Sequence, residues 1–247
     1  MELTLRFLLL LQSFIFGQKN KNFMPKFFVI ATPIGNLEDI SFRALKTLKE
    51  VDVLLCEDTR ETKKLLSHYQ IKKPVVSYHP HSAPKVFQKI VNFLKAGKNL
   101  GLVSDAGTPG ISDPGNELIS RLLKENIKDL EIIPIPGACA ITTALSVCAF
   151  NVSRFVFLGF PPSKRKRKKF FERLGKIDLP IVIFESKWRL IKTLKELQSF
   201  LGEREVFICH ELTKKFESFF RGNLKEAIEF FEKKDLKGEF VIVINKK

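Results

Sequence analysis

The sequence predicts an α/β protein built of two units, over 24–136 and 137–247, behind an N-terminal segment 1–23. Three observations carry this. From Phe27 onward, short β-rich runs alternate with amphipathic helical stretches, the pattern of a parallel sheet with helices on both faces. Pro134-Ile135-Pro136-Gly137 interrupts that alternation midway, as a joint between units does. A chain of 247 residues fits one large domain or two small ones.

The elements follow in order. Strands are expected at Phe27–Ala31, Val53–Cys56, Pro74–Tyr78, Leu100–Ser104 and Glu131–Ile135, all rich in β-branched or aliphatic residues. Between the first two, Ser41 is placed to cap a helix that carries Leu45 and Leu48 on one face. Asp58 stands where it can cap a helix from Arg60. Val86, Ile90 and Leu94 recur every fourth residue and predict a helix between the third and fourth strands. In the second unit, Gly137 to Cys148 reads as a buried helix of small apolar residues. Strands are expected at Phe155–Gly159, Ile181–Phe184, Val206–Cys209 and Phe240–Ile244, with helices over Trp188–Leu201 and Leu224–Phe231. No fixed-period repeat is visible.

Composition narrows the function classes. At 45% hydrophobic and 28% charged residues the chain is neither disordered nor collagen-like. No run reaches the ~20 apolar residues of a spanning helix. Lys and Arg number 42 against 27 Asp and Glu, a net charge of +15, which favours a polyanionic partner and nucleic acid first. The four cysteines form no C-x-x-C pair and sit in apolar surroundings, so they read as reduced thiols of a cytosolic protein, with no metal site. Residues 7–16 are apolar but too short to span a bilayer, and no small-x-small cleavage site follows them. Met24, just before the first strand, marks 1–23 as an extension or a misassigned start that is expected to be dispensable.

Ligands of open α/β sheets bind beyond the carboxyl ends of the strands, so the loops there hold the chemistry. The loop after the fourth strand, Asp105 to Gly115, packs three glycines, two prolines and two aspartates into eleven residues. Glycines permit close backbone approach and prolines stiffen a loop, which together predict a ligand cradle. Its spacing matches neither G-x-G-x-x-G nor a Walker-type phosphate loop. Glu57-Asp58 ends the second strand and serves either acid–base chemistry or helix capping. Lys164-Arg165-Lys166-Arg167-Lys168-Lys169 is a run of six cations suited to phosphate contacts.

Three segments together resemble the 16S ribosomal RNA ribose methyltransferases of the tetrapyrrole methylase superfamily. They are Ala31-Thr32-Pro33-Ile34-Gly35-Asn36-Leu37, Cys56-Glu57-Asp58-Thr59-Arg60 and Ser104 to Gly115. Pro134-Ile135-Pro136-Gly137, Phe184-Glu185-Ser186 with Arg189-Leu190, Glu211-Leu212-Thr213-Lys214 and Lys237-Gly238-Glu239 continue the resemblance in order over about 26 to 245. The chain departs from that pattern at Ala138, Phe184 and His210, where relatives often carry Pro, Tyr and Arg.

The resemblance implies two α/β domains of the tetrapyrrole methylase type, with S-adenosyl-L-methionine in the cleft between them, and not the common Rossmann methyltransferase. It implies methylation of the 2′-hydroxyl of a cytidine in the decoding centre of 16S rRNA, by a cytoplasmic homodimer acting on the small ribosomal subunit. It implies a cofactor lined by Pro33, Ile34, Gly35, Asp105, Ala106, Gly107 and Ile111, with Pro136, Gly137 and Ala138 closing the other side. Candidates for handling the proton or the RNA are Glu57, Asp58, Glu185, Lys214 and Glu239. Lys164, Arg165, Lys166, Arg167, Lys168 and Lys169 are expected to hold phosphates. Two further readings stand beside this one. A precorrin-type C-methyltransferase explains the loops but not the charge, and a non-catalytic RNA-binding assembly factor explains the charge but not the loops.

Overall fold

A computed structural model of the protein describes residues 24–79, 82–113, 115–234 and 237–247; the expectations for 1–23 lie outside these residues. Two five-stranded sheets form the frame. The first comprises β1 (Lys26–Ile30), β2 (Val53–Cys56), β3 (Val75–Ser77), β4 (Leu100–Leu102) and β5 (Glu131–Ile135) in the order β3-β2-β4-β1-β5. Every neighbour pair in it is parallel. Successive residues of a strand point to opposite faces, so Leu54 and Leu55 serve different cores. Leu55, Phe27 and Leu100 pack under α3 (Pro84–Lys95) and α4 (Gly115–Leu122) through Phe87, Ile90 and Leu118. Leu54 and Ile30 pack on the other face against Ala44 and Leu48 of α1 (Phe42–Glu50) and Leu66 of α2 (Thr59–His68). Ser41 caps α1 by accepting from the Ala44 N–H at 3.1 Å, and Asp58 caps α2 by accepting from the Arg60 N–H at 2.7 Å.

The second sheet departs from a purely parallel layout. Its strands are β6 (Val156–Phe157), β7 (Ile181–Ser186), β8 (Glu205–His210), β9 (Ser218–Asn223) and β10 (Glu239–Ile244), ordered β6-β7-β10-β8-β9. Only β6 and β7 run parallel; the remaining pairs are antiparallel. Sequence pattern alone does not predict β9, because Ser-Phe-Phe-Arg-Gly-Asn shows no alternation and lies at an exposed sheet edge. One face is covered by α6 (Arg167–Leu174), α7 (Leu190–Leu201) and α8 (Leu224–Glu232), with Phe171, Leu194 and Ile228 over Ile183, Ile208 and Ile242. The opposite face takes α5 (Ala140–Val147), whose Ile141, Ala144 and Leu145 pack on Val182, Phe207 and Val243. Ile34, from the loop after β1, packs against this same cluster, so the loop belongs to both sheets' surroundings.

Several expected elements are shorter in the structure. The helix expected over 137–148 begins only at Ala140, because Pro136 to Cys139 form a non-helical link between the sheets. The helix expected from Trp188 begins at Leu190, after a turn in which the Arg189 N–H donates to the Ser186 carbonyl at 3.1 Å. Among the described residues no helix is long and apolar enough to cross a membrane.

Candidate functional site

The strand order puts β1 between β4 and β5, so the loops leaving all three meet. Backbone hydrogen bonds tie them. The Thr32 N–H donates to the Gly107 carbonyl at 2.9 Å and the Gly107 N–H returns to the Thr32 carbonyl at 3.1 Å. The Ala31 N–H donates to the Ile135 carbonyl at 3.1 Å, and the Thr108 hydroxyl donates to the Ala138 carbonyl at 3.3 Å. Gly107 has φ of +78°, where a side chain is strained, and a Cβ there would stand 3.1 Å from Ile34 Cγ2. Gly137 crosses Ala31 so closely that a Cβ would lie 2.9 Å from the Ala31 Cβ.

The second sheet contributes the opposite wall through the loop after β8. Gly35 lies directly against Lys214 and Thr213, and the Asn36 N–H donates to the Thr213 hydroxyl at 3.1 Å. Glu211 and Thr213 hold φ of +51° and +65°, left-handed values that cost of order 1 kcal/mol each for residues other than glycine. Strain of this kind persists where surrounding contacts over-determine the backbone, and here they do. The Glu211 carboxylate accepts from Lys214 Nζ at 2.8 Å and from the Glu239 N–H at 3.0 Å, and it presses against Gly238, where any side chain would collide with it. Lys214 Nζ also reaches Glu239 Oε2 at 3.4 Å. Burial pushes the Glu211 carboxyl up, but hydrogen bonds from Lys214 and the Glu239 backbone outweigh it and hold the group low. Lys214 is pulled down by burial and raised more by its two carboxylate partners, so it stays charged.

Between these walls lies a cavity of about 230 Å³. Ile34, Ile111, Ile141, Phe160 and Phe184 give it an apolar lining. Among the described residues its charged lining is four carboxylates, Asp105, Asp113, Glu211 and Glu239, against one ammonium, Lys214, which is already paired twice. A chain of net charge +15 therefore keeps its excess cations outside this cleft. Burial pushes the Asp113 carboxyl up to about 6, opposed by a Ser104 hydrogen bond and reinforced by the charges of Glu57 and Asp105. Cys209 also faces the cavity, and burial pushes its thiol up to about 12, which keeps it protonated and unreactive.

The expected cofactor residues divide into two groups. Ile34, Asp105, Ala106, Gly107 and Ile111 line the cavity directly. Pro33, Gly35, Pro136, Gly137 and Ala138 are not among the lining residues: Pro33 is buried, Gly35, Pro136 and Gly137 are exposed, and the Pro136 carbonyl accepts from the Ser41 hydroxyl at 3.3 Å.

The candidates for the proton and the RNA divide more sharply. Lys214 and Glu239 meet at the cleft. Glu57 is exposed at the end of β2, outside the lining. Asp58 serves the capping alternative; its carboxylate is taken by the Arg60 N–H and guanidinium, which hold it down at about 2, and its own N–H donates to Asp105 Oδ1 at 3.2 Å.

Glu185 and Arg167 need correction. Glu185 is 0% exposed, bound by Arg189 at 2.8 Å and by the Thr193 hydroxyl at 2.6 Å, which leaves it no access to a substrate. Arg167 is 5% exposed, although its neighbours in the cationic run face solvent. Its guanidinium donates to Glu196 at 2.6 Å, to the Thr193 hydroxyl at 2.7 Å and to the Pro162 carbonyl at 2.9 Å. Lys164, Arg165, Lys166, Lys168 and Lys169 remain as exposed cations. Arg167→Ala would leave Glu196 and the Thr193–Glu185 pair under-satisfied and is expected to cost about 3–5 kcal/mol of stability. Lys169→Ala should cost almost nothing, and urea unfolding of both variants measures the contrast.

Sequence reasoning missed Glu211 and Asp113 as site residues. Glu211 draws its role from Lys214, Gly238 and Glu239, the last two far along the chain, and only the aspartate-and-glycine loop signalled Asp113.

A family model described as Tetrapyrrole (Corrin/Porphyrin) Methylases matches residues 26–228. A relative from Thermotoga maritima named ribosomal RNA small subunit methyltransferase I is 46% identical over 224 residues, 91% of this chain and 100% of that protein. One of the same name from Synechocystis is 48% identical over 88% of this chain and 77% of its own length. Among solved structures, a uroporphyrin-III C-methyltransferase from Thermus thermophilus complexed with S-adenosylhomocysteine superposes with a TM-score of 0.62 at 16% identity, over 89% of this chain and 96% of that one. Two sheets meeting at a cleft of glycine-rich loops, the match over most of the sequence and the near relatives agree: the chain belongs to the tetrapyrrole methylase family, alongside the relatives named ribosomal RNA small subunit methyltransferase I.

Proposed function

We propose that this protein is an S-adenosyl-L-methionine-dependent methyltransferase that modifies the 2′-hydroxyl of a cytidine in the 16S rRNA of the small ribosomal subunit. The observation that carries the reading is the charge of the cleft, four carboxylates around an apolar pocket in a strongly basic chain. That lining fits a ligand with a flat apolar body and a positive centre. When bound, the cofactor supplies an electrophilic methyl group on a sulfonium. Ile34, Gly107 and Ile111 would hold its apolar parts, and Asp105 and Asp113 its polar and cationic ones. The same lining disfavours the precorrin alternative, because a polycarboxylate entering it meets carboxylates and, among the described residues, no unpaired cation.

The chain's own work is alignment and proton handling. Lys214 is charged and doubly paired, so it acts as a fixed positive centre beside the reacting hydroxyl and accepts no proton. Glu211 is occupied by its hydrogen bonds and positions Lys214. Glu239 extends a largely exposed carboxylate from the cleft edge and is the group that takes the hydroxyl proton. The exposed cations of 164–169 begin four residues beyond Phe160 on the cleft wall, which suits them to lead phosphates toward it. A homodimer working in the cytoplasm, with units divided at Pro136–Gly137, completes the proposal. Labelled methyl transfer to undermethylated small subunits, run beside a precorrin substrate, tests it; label entering the precorrin and not the RNA would overturn it.

Asp113 gives the reading a pH dependence. Its folded value of about 6 lies above the ordinary carboxylate range, so between about pH 4 and pH 6 the native state holds a proton that the unfolded chain has lost. The associated stability is complete below about pH 4 and disappears as the pH rises through 6. Asp113→Asn should therefore stabilise the protein by on the order of 2 kcal/mol at pH 8 and by little at pH 4. Cofactor affinity should rise across pH 6 in the wild type, as the carboxylate ionises beside a cation, and stay flat in the variant. Calorimetric titrations at pH 5 and pH 8 measure the difference.

A further inference from the structure

The chain's single tryptophan, Trp188, is 83% exposed, and Phe216 is 70% exposed. Exposure alone marks neither ring, since Phe42 is 93% exposed; what sets these two apart is what lies beside them. Both carry a lysine over one ring face. Lys187 Nζ lies 4.1 Å from the Trp188 ring centroid and Lys215 Nζ lies 5.6 Å from that of Phe216. Each ring keeps its other face for solvent or a ligand.

Their places in the fold are related. β10 is antiparallel to both β7 and β8, with Glu239 opposite Ser186 and Phe240 opposite His210. The start of β10 is thus flanked by the ends of the two strands whose loops carry Trp188 and Phe216. Adjacent strands are ~4.8 Å apart, so these loops rise roughly 10 Å from one another with Glu239 between them. Both loops are tied down. The Lys187 N–H donates to the Gly238 carbonyl at 3.1 Å, and Arg189 is held by Glu185 and by the Pro161 carbonyl at 3.0 Å. On the other side, the Thr213 N–H donates to Glu217 Oε1 at 2.6 Å and the Glu217 N–H to the Lys214 carbonyl at 3.0 Å.

We propose that Trp188 and Phe216 are stacking platforms for unpaired RNA bases on either side of the nucleotide presented at Glu239. The inference rests on the rRNA reading above and adds to it how the single-stranded substrate is held. Sequence-specific RNA recognition acts mainly on unpaired bases stacked on aromatic side chains. Stacking contributes without releasing counterions, so it adds affinity without adding salt dependence, unlike the lysine run.

The lone tryptophan is its own reporter. Titrating the full chain with an unstructured oligocytidylate should quench its fluorescence, and a blunt duplex of equal length should quench it far less. Trp188→Ala should raise the KM for small subunits roughly five- to a hundredfold, the range that base–aromatic stacking spans. Cofactor affinity should not move, and the salt plot of RNA binding should shift without changing slope. Trp188→Phe should recover most of the loss, and Phe216→Ala should show a smaller effect of the same kind. Unquenched fluorescence at saturating oligocytidylate, with an unchanged KM in Trp188→Ala, would overturn the platform while methylation by the wild type leaves the enzyme reading intact. Quenching without methylation of subunits would sustain the platform and sink the enzyme reading. A fluorescence shift that follows protein concentration without RNA would assign the ring to a contact between copies of this chain and overturn the inference.

Discussion

Gly107→Val is expected to lower cofactor affinity by roughly a hundredfold or more while the chain still unfolds cooperatively. Two effects add. A β-branched residue at φ of +78° is strained by about 1–3 kcal/mol, which the loop relieves by moving. Its side chain also starts 3.1 Å from Ile34 Cγ2 and 3.6 Å from the Ala138 carbonyl, and so grows into groups that frame the cleft. The cores on the two faces of the first sheet are untouched, because Gly107 belongs to neither of the buried clusters there. Calorimetry with S-adenosyl-L-methionine, paired with circular dichroism melting, separates the two outcomes. Affinity like that of the wild type in a folded variant would remove this loop from the cofactor site.

The second large effect concerns RNA. Replacing Lys164, Arg165, Lys168 and Lys169 together with Ala should reduce the slope of log affinity against log salt by roughly 0.7–0.9 for each phosphate that no longer meets a cation. The weakening should be greatest at low salt, where counterion release contributes most. Arg167 is kept, because its guanidinium holds Glu196 and Thr193 inside the second unit. Lys166 is kept because it starts α6 with φ of +72°. The four changed side chains are exposed, and among the described residues only Lys168 has an ion-pair partner, Glu172 at 4.0 Å, so stability should change little. Cofactor affinity should hold, and the nucleotide that is modified should stay the same, since a row of cations carries charge but no base code. Parallel salt plots of equal affinity for the two proteins would make the run a solvated surface.

These two experiments differ in how far the sequence alone anticipates them. Gly107 is legible, because a glycine among prolines and aspartates at a strand end signals close backbone approach before any fold is known. The centre of the first sheet is legible for a similar reason: β2 and β4 are buried along their whole length and read as unbroken apolar runs. Arg167 is not legible. Within six consecutive cations nothing local marks the one that turns inward, and only α7, which supplies Thr193 and Glu196, makes it structural. Glu185 shows the converse, a carboxylate that reads as a candidate for chemistry until Arg189 and Thr193 enclose it. Glu211 lies within one of the segments that carry the family resemblance, yet its task depends on Gly238 yielding space across the sheet. Edge strand β9 escapes sequence reading because its adjacent Phe219 and Phe220 pack on opposite faces, one on Phe207 and the other on the helix-covered core, so no period of two appears in its hydrophobicity.

The reaction proposed for this protein is methyl transfer to a ribose oxygen, and one measurement addresses it directly. Small ribosomal subunits lacking the modification are incubated with the full chain and methyl-labelled S-adenosyl-L-methionine, and their 16S rRNA is then hydrolysed in alkali. Alkaline cleavage needs a free 2′-hydroxyl, so a methylated ribose leaves an uncut dinucleotide. The label is expected in one alkali-resistant dinucleotide with cytidine on its 5′ side. Label released in mononucleotides would place the methyl group on a base and contradict ribose methylation, as would subunits that take up no label.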